Sequence, residues 1–204
     1  MSFQSVHDLL TPPSIVRKTK FWDWFDGDSL KSWWTTRDVV GTGTFAMSDA
    51  VDEGFKISTG GSSGDRSEIY FNDIRHYSET GSIIIWVAKA VDSTNALTDI
   101  GSTNDGTTTA YSIIRFHTGQ ANWNYLSKGA GAGSIDLGIA RDNNFNEWKI
   151  SHNTASVTIF NNDILTGVAT SNIPTSRQQP YAASGAIEAA AKDLLLRRCE
   201  AYNT

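Results

Sequence analysis

The stretch Phe145–Leu165, FNEWKISHNTASVTIFNNDIL, limits the fold more than any other part of the chain. From Glu147 to His152 polar and apolar residues alternate, with Trp148 and Ile150 on one side and Lys149 and Ser151 on the other. A period of two puts successive side chains on opposite faces of a strand. Asn153-Thr154-Ala155-Ser156 supplies a turn, and Val157–Phe160 resumes a β-branched and aromatic run. Asn161-Asn162-Asp163 turns the chain again, because Asn and Asp tolerate positive φ. The segment predicts an antiparallel hairpin with a further turn behind it.

At 204 residues the chain suits one large β domain with a substantial core. The 17 Gly, with many Ser, Thr and Asn, imply many turns, and 7 Trp imply a core or binding face built of large rings. A formal net charge of −5 argues against a general nucleic-acid binder, which needs a basic face to displace counterions. The single cysteine, Cys199, cannot form an internal disulfide. No apolar run approaches the ~18 residues of a membrane helix, and the first twenty residues lack the charged and apolar regions of a signal peptide. Membrane insertion is therefore not expected.

Taken in order, residues 1–20 read as an N-terminal arm, broken by Pro12-Pro13 and ending in the basic cluster Arg17, Lys18 and Lys20. Residues 21–204 read as one domain. FWDWFDGDSLKSWW, from Phe21 to Trp34, begins as a short strand with rings on both faces and turns at Gly27-Asp28-Ser29. Asp23, Asp26 and Asp28 offer carboxylates for a Ca2+ ion, although such residues more commonly cap turns. No other cofactor is expected. Further strands are predicted at Thr44–Ser48, Gly54–Thr59, Arg66–Asn72, Gly81–Val91, Ala110–Thr118, Asn122–Leu126, Glu147–His152 and Val157–Asn161, with two more after Pro180. Asp92–Thr109 and the Gly-rich Lys128–Ser134 read as loops, and no GK[ST] follows the latter to make a phosphate cradle. Ile187–Arg198, IEAAAKDLLLRR, has helical propensity, yet its three consecutive leucines fit neither a helical face nor a strand alternation.

Phe25-Asp26-Gly27-Asp28-Ser29-Leu30 followed by Trp33-Trp34 resembles the opening of concanavalin A-like (laminin G-like) jelly-roll domains. Phe145-Asn146-Glu147-Trp148 with Val157-Thr158-Ile159-Phe160 is similar to the late hairpin of the same families, and Asn172-Ile173-Pro174 to the segment after it. Asn162-Asp163 departs from the usual Asp-Gly, which leaves that turn's geometry open. The resemblance implies an all-β antiparallel two-sheet jelly-roll sandwich, with Ala191–Tyr202 as its closing strand against local propensity.

Jelly-roll glucanases carry Glu-x-Asp-x-Glu on one strand, because retaining hydrolysis needs two carboxylates about 5–5.5 Å apart in one cleft. None of Glu53, Glu68, Glu79, Glu147, Glu188 and Glu200 begins such a triplet. Arg66-Ser67-Glu68-Ile69 resembles the Arg-Ser-Glu-Leu of jelly-roll alginate lyases, in which Arg helps neutralise the uronate carboxylate. The Gln-Ile-His and Tyr-Phe-Lys-x-Gly-x-Tyr strands of those lyases do not appear. His7, His76, His117 and His152 lack metal-ligand spacing, so zinc is not expected.

Alternation places Arg66, Glu68, Tyr70 and Asn72 on one face of their strand, and Tyr111, Ile113, Arg115 and His117 on one face of theirs. Arg66, Glu68, Tyr70, Trp86, Arg115 and His117 together offer the rings and polar groups of a glycan-binding face. Trp86 lies among Ile and Val, which also suits a core position, and the Arg and Glu residues also suit paired surface charges. These features suggest a non-enzymatic, homo-oligomeric protein of a virion or extracellular surface (capsid decoration, turret or tail appendage) that presents its glycan-binding face to a host. The alternatives are a glycan-binding module of a secreted enzyme, a polyuronate lyase, and a purely structural role without ligand.

Overall fold

The structure, a computed structural model, describes residues 20–48, 54–72, 76–92, 94–104 and 110–204. The expected arm, residues 1–20, falls outside these except for Lys20. Two antiparallel sheets pack face to face. Sheet A runs β13 (Ile164–Ala169), β12 (Ser156–Asn161), β11 (Asn146–Asn153), β6 (Gly81–Ala90), β15 (Asp193–Asn203), β4 (Phe55–Ser58) and β3 (Thr44–Met47), and β1 (Lys20–Asp23) pairs with the far half of β15. Sheet B runs β10 (Ala132–Ala140), β9 (Asn122–Lys128), β8 (Tyr111–His117), β7 (Ala96–Thr103), β14 (Gln179–Ala186), β5 (Arg66–Tyr70) and β2 (Thr35–Val40).

The hairpin predicted at 145–165 is present, with Trp148 paired to Asn161 and Asn153 to Ser156. Its second turn resolves the open geometry. Asn162 and Asp163 take φ of 47° and 64°, the double left-handed conformation of a two-residue turn matched to strand twist. The turn leads into β13, a strand the sequence reading did not separate. The C-terminal conflict resolves towards the strand. Leu194 and Leu196 face the core from β15, Leu195 is buried on the opposite side, and a register shift between Leu196 and Arg198 absorbs the broken alternation.

Three further strands lie where loops, or no element, were expected. Thr35–Val40 forms β2, Ala96–Thr103 within the expected 92–109 loop forms β7, and Ala132–Ala140 overlapping the Gly-rich loop forms β10. ALTDIGST interrupts its Thr and Ile with Asp99, Gly101 and Ser102, and its strand is held by ladders to β14 and β8 on either side.

Trp86, Ile84, Ala88, Trp148, Ile150 and Ile159 of sheet A meet Ile69, Ile100, Ile114, Trp123, Tyr125 and Ala182 of sheet B in one core. Trp86 stacks near Phe25 and Trp34 (centroids 6.4 and 5.7 Å) and donates its indole N–H to the Gly101 carbonyl of sheet B (2.9 Å). Its placement corrects the expectation that Trp86 lines the glycan face. Among the described residues, none forms a helix long and apolar enough to cross a membrane.

Candidate functional site on the outer face of sheet B

The antiparallel ladders carry one register row across sheet B. Arg37 on β2 faces Glu68 on β5, Glu68 faces Ala183 on β14, and Ala183 faces Asp99 on β7. Asp99 in turn faces Arg115 on β8, which faces Asn124 on β9. Cross-strand partners point to the same side of a sheet, and the neighbouring inward residues Ile69, Ala182, Ile100 and Ile114 are all in the core. The row therefore lies on the outer face.

Period two then brings further residues to that face. Tyr70, Tyr181, Gly101, Ile113 and Leu126 are partners in the next row on one side. Arg66, Gly185, Leu97 and His117 are partners in the row on the other. Five of the six sequence-predicted residues thus converge: Arg66, Glu68, Tyr70, Arg115 and His117. The sequence reading missed Arg37, Asp99 and Tyr181. Their signal was period two in strands too polar, or too interrupted by Gly and Pro, to be recognised alone.

Guanidiniums and carboxylates alternate in one bonded chain. Arg37 donates to Glu68 through Nε (2.7 Å) and Nη2. Tyr181 donates its phenol O–H to Glu68 Oε2 (3.0 Å) and accepts from Arg66 Nη2 (2.7 Å). Arg66 Nη2 also donates to Asp99 Oδ2 (2.8 Å), and Arg115 grips both Asp99 oxygens through Nε and Nη2 (2.6 and 2.7 Å). Glu68 and Asp99 have no exposed side-chain surface, whereas the side chains of Arg66, Arg115 and Arg37 keep 18%, 24% and 47%. The face therefore presents guanidiniums to solvent and hides the anions beneath them. His117 is half-buried, with Nδ1 2.7 Å from the Thr118 carbonyl. A carbonyl only accepts, so Nδ1 carries the proton and Nε2 keeps its lone pair in the neutral ring.

Burial pushes the Asp99 carboxyl up, but the hydrogen bonds and charge of Arg115, then those of Arg66, outweigh it and hold the group below its ordinary range. Tyr181 moves the other way. Burial, reinforced by the Asp99 and Glu68 charges against that of Arg66, raises its phenol well above the usual value. At neutral pH Asp99 is an anion and Tyr181 a hydrogen-bond donor.

The Asp23, Asp26 and Asp28 carboxylates do not gather. Asp23 is buried and accepts from the Phe25 backbone N–H, Lys31 Nζ and the indole N–H groups of Trp33 and Trp34, whereas Asp26 and Asp28 are exposed. Asp23 thus caps a turn. Among the described residues no group of three His, Cys, Asp or Glu is arranged to hold a metal.

The fold is the concanavalin A-like jelly roll shared by glycoside hydrolases and lectins. The Crh5 transglycosylase superposes with a TM-score of 0.68 at 14% identity, over 91% of this chain and 84% of that one. The Bacillus licheniformis β-glucanase gives 0.67 at 11%, over 91% and 98%. The Emp47p carbohydrate recognition domain gives 0.61 at 9%, over 90% and 94%. No protein-family model and no curated protein sequence matches the chain. These neighbours are mostly enzymes that act on glycosidic linkages, and they overturn the expectation of a non-enzymatic virion protein. At such identities the likeness is one of fold, and the chemistry rests on the residues themselves.

Proposed function

We propose that the protein is a carbohydrate-active enzyme that binds an acidic polysaccharide across the outer face of sheet B and cleaves it by elimination. One observation carries the reading: three guanidiniums stand outward over two carboxylates that are themselves fully covered. Five charges in one network leave an excess of one positive charge, presented as planar N–H forks suited to a sugar carboxylate.

Elimination from a uronate requires that its carboxylate be neutralised, so that the C5 proton becomes acidic, and that a base remove that proton. Arg66 and Arg115 supply the neutralisation. His117, in the same register row as Arg66 and bearing a free lone pair on Nε2, is the base. The C5–H electrons form the new C4–C5 double bond while the C4–O bond breaks. The leaving oxygen takes a proton from water, since Tyr181 is fully buried and donates its O–H to Glu68.

A second reading is favoured by the row itself. Glu68 and Asp99 flank Ala183, and their carboxyl groups lie on either side of the one Arg66 guanidinium, whose Nε is 4.0 Å from Glu68 Oε2 and whose Nη2 is 2.8 Å from Asp99 Oδ2. Inverting hydrolases hold their carboxyl groups about 6.5–9.5 Å apart. Hydrolysis would require Arg37, Arg66 and Arg115 to release the two carboxylates to substrate.

Incubation with polyuronates and with neutral β-glucans, followed both by the ultraviolet absorbance of unsaturated product and by reducing ends, separates the readings. Absorbance that disappears in Arg115→Ala and His117→Ala supports elimination at this face. Reducing ends without absorbance replace it with hydrolysis, and no cleavage of either class refutes both.

A further inference from the structure

The opening motif FWDWFDGDSLKSWW plays no part in the chemistry of sheet B, and its geometry is unusual. Asp23 and Phe25 are buried at 1% and 3% exposure, so the strand alternation drives Trp22 and Trp24 outward, where they keep 56% and 48%. Exposed indoles in adjacent outward positions of one extended segment stand about 6.5–7 Å apart. Both rings are held from one side by a cation. Lys20 Nζ lies 5.6 Å from the Trp22 centroid, and the Arg198 guanidinium lies 5.1 Å from that of Trp24. Arg198 is fixed in turn by Glu147 and by Glu200 (3.4 Å). Asp23 anchors the backbone below, and the left-handed Phe25 (φ 49°) swings residues 26–30 around to enclose space.

That space is a cleft of about 1130 Å3 walled by Trp24 and edged with Asp26, Asp28, Thr36 and Arg197. An indole wall with a polar rim is the chemistry that receives a sugar. The C–H face of a hexose stacks on the ring, and its hydroxyls reach the rim. The charges select among ligands. A cation meets rings already engaged by Lys20 and Arg198, and one rim carboxylate, Asp26, already faces Lys31 at 3.7 Å. An anion meets Asp26 and Asp28, two carboxylates against the one guanidinium of Arg197. An uncharged ligand meets neither obstacle.

We propose that Trp22, Trp24 and this cleft form a second carbohydrate site that binds a neutral hexose chain. Its two indoles stand on the β1 side of sheet A and Thr36 of β2 closes the cleft, whereas the Arg66–Arg115 network lies on the outer face of sheet B, so the site would hold the protein on one glycan while the network acts on another. The inference rests on the carbohydrate-active reading above.

The test is affinity electrophoresis of the full chain in gels containing β-1,3-glucan, β-1,4-glucan, xylan or mannan, for the wild type, Trp22→Ala/Trp24→Ala, Trp24→Phe and Arg115→Ala. The expected result is retardation of the wild type by at least one neutral polymer, unchanged in 0.5 M salt because no charge pairing is involved. The double variant loses at least tenfold in affinity while its thermal midpoint holds. Trp24→Phe keeps part of the affinity, and Arg115→Ala keeps all of it. Equal retardation of the double variant and the wild type, or no retardation of the wild type by any of the four polymers, overturns the proposal. Cleavage assays report separately on sheet B, so loss of the neutral-glycan site and loss of the enzymatic reading give different results.

Discussion

Asp99 offers the sharpest perturbation of the network. Asp99→Asn keeps the shape of the side chain but replaces an anion that accepts three charge-assisted hydrogen bonds with a group bearing its own N–H donors. Two guanidiniums, at 18% and 24% exposure, then face each other without the charge between them. Removing one partner of a buried pair costs about 3–5 kcal/mol. Partial access of water to both arginines places this variant near the lower end, about 3 kcal/mol. For a chain of this size that corresponds to roughly 6–12 °C in thermal midpoint.

Urea unfolding followed by tryptophan fluorescence reads the change, and two internal checks accompany it. The folded-state pKa of Asp99 is depressed, so its contribution is fully present above the ordinary carboxylate value and is lost as pH falls through the lower folded value. The deficit of Asp99→Asn must therefore narrow in strong acid, where the wild-type side chain is also neutral. Replacing Asp99, Arg66 and Arg115 together by Leu, Met and Met should restore stability to within about 1 kcal/mol of wild type, because an apolar cluster carries no stranded charge. A loss below about 0.5 kcal/mol in Asp99→Asn, or a triple variant no more stable than the single one, would refute the reasoning that the anion holds the arginines.

Three further perturbations touch other polar contacts of the sandwich. His152 is fully buried, with Nδ1 3.1 Å from Ser82 Oγ, and burial lowers its pKa to about 4, so the unfolded chain binds its proton first. Stability is complete above about pH 6.5 and declines towards pH 4 by up to roughly 1.4 kcal/mol per unit, a slope that His152→Gln should flatten in pH-dependent urea melts. Asp23→Ala strands a backbone N–H and two indole N–H groups and should cost about 3 kcal/mol, measured by the same unfolding. Asn162→Ala loses a left-handed-tolerant residue, its acceptor for the Glu147 N–H (2.9 Å) and its bond to Asn146 Oδ1 (3.0 Å); about 2 kcal/mol is expected, with faster exchange of the Glu147 amide.

The sequence disclosed the elements whose side chains alternate cleanly. β5, β6, β8, β11 and β12 could be placed, and with them the faces of Arg66, Glu68, Tyr70, Arg115 and His117. It did not disclose β7, because Leu97-Thr98-Asp99-Ile100-Gly101 reads as a loop until β8 and β14 supply its hydrogen bonds. Asp99, the anion that organises two arginines, was hidden with it. Trp86 could be given a face but not a side of the sandwich, since period two says which residues travel together and not which way they point. Tyr181 follows a proline and precedes two alanines, and only its pairing with Tyr70 and Gly101 shows that it reaches the centre of the site.

The energetics of that site bear on why it exists. A buried ion network is seldom more stable than a well-packed apolar cluster of similar volume, because desolvation offsets most of the Coulombic gain. On this face Ile113 and Ala183 are already buried, with Tyr70, Tyr111 and Leu126 packed against that small cluster. An apolar row through positions 37, 68, 99 and 115 would extend it at little thermodynamic cost. Glu68 and Asp99 nevertheless give up all solvent contact to hold Arg37, Arg66 and Arg115 in fixed directions on an outward surface. Fold stability does not require that arrangement. Preorganised positive charge does, since donors already oriented before an anionic ligand arrives need no reorganisation when it binds or reacts. On this reasoning the apolar triple variant is the decisive comparison: it should keep the fold and lose cleavage of acidic polysaccharide, separating what the network does for the substrate from what it does for the sandwich.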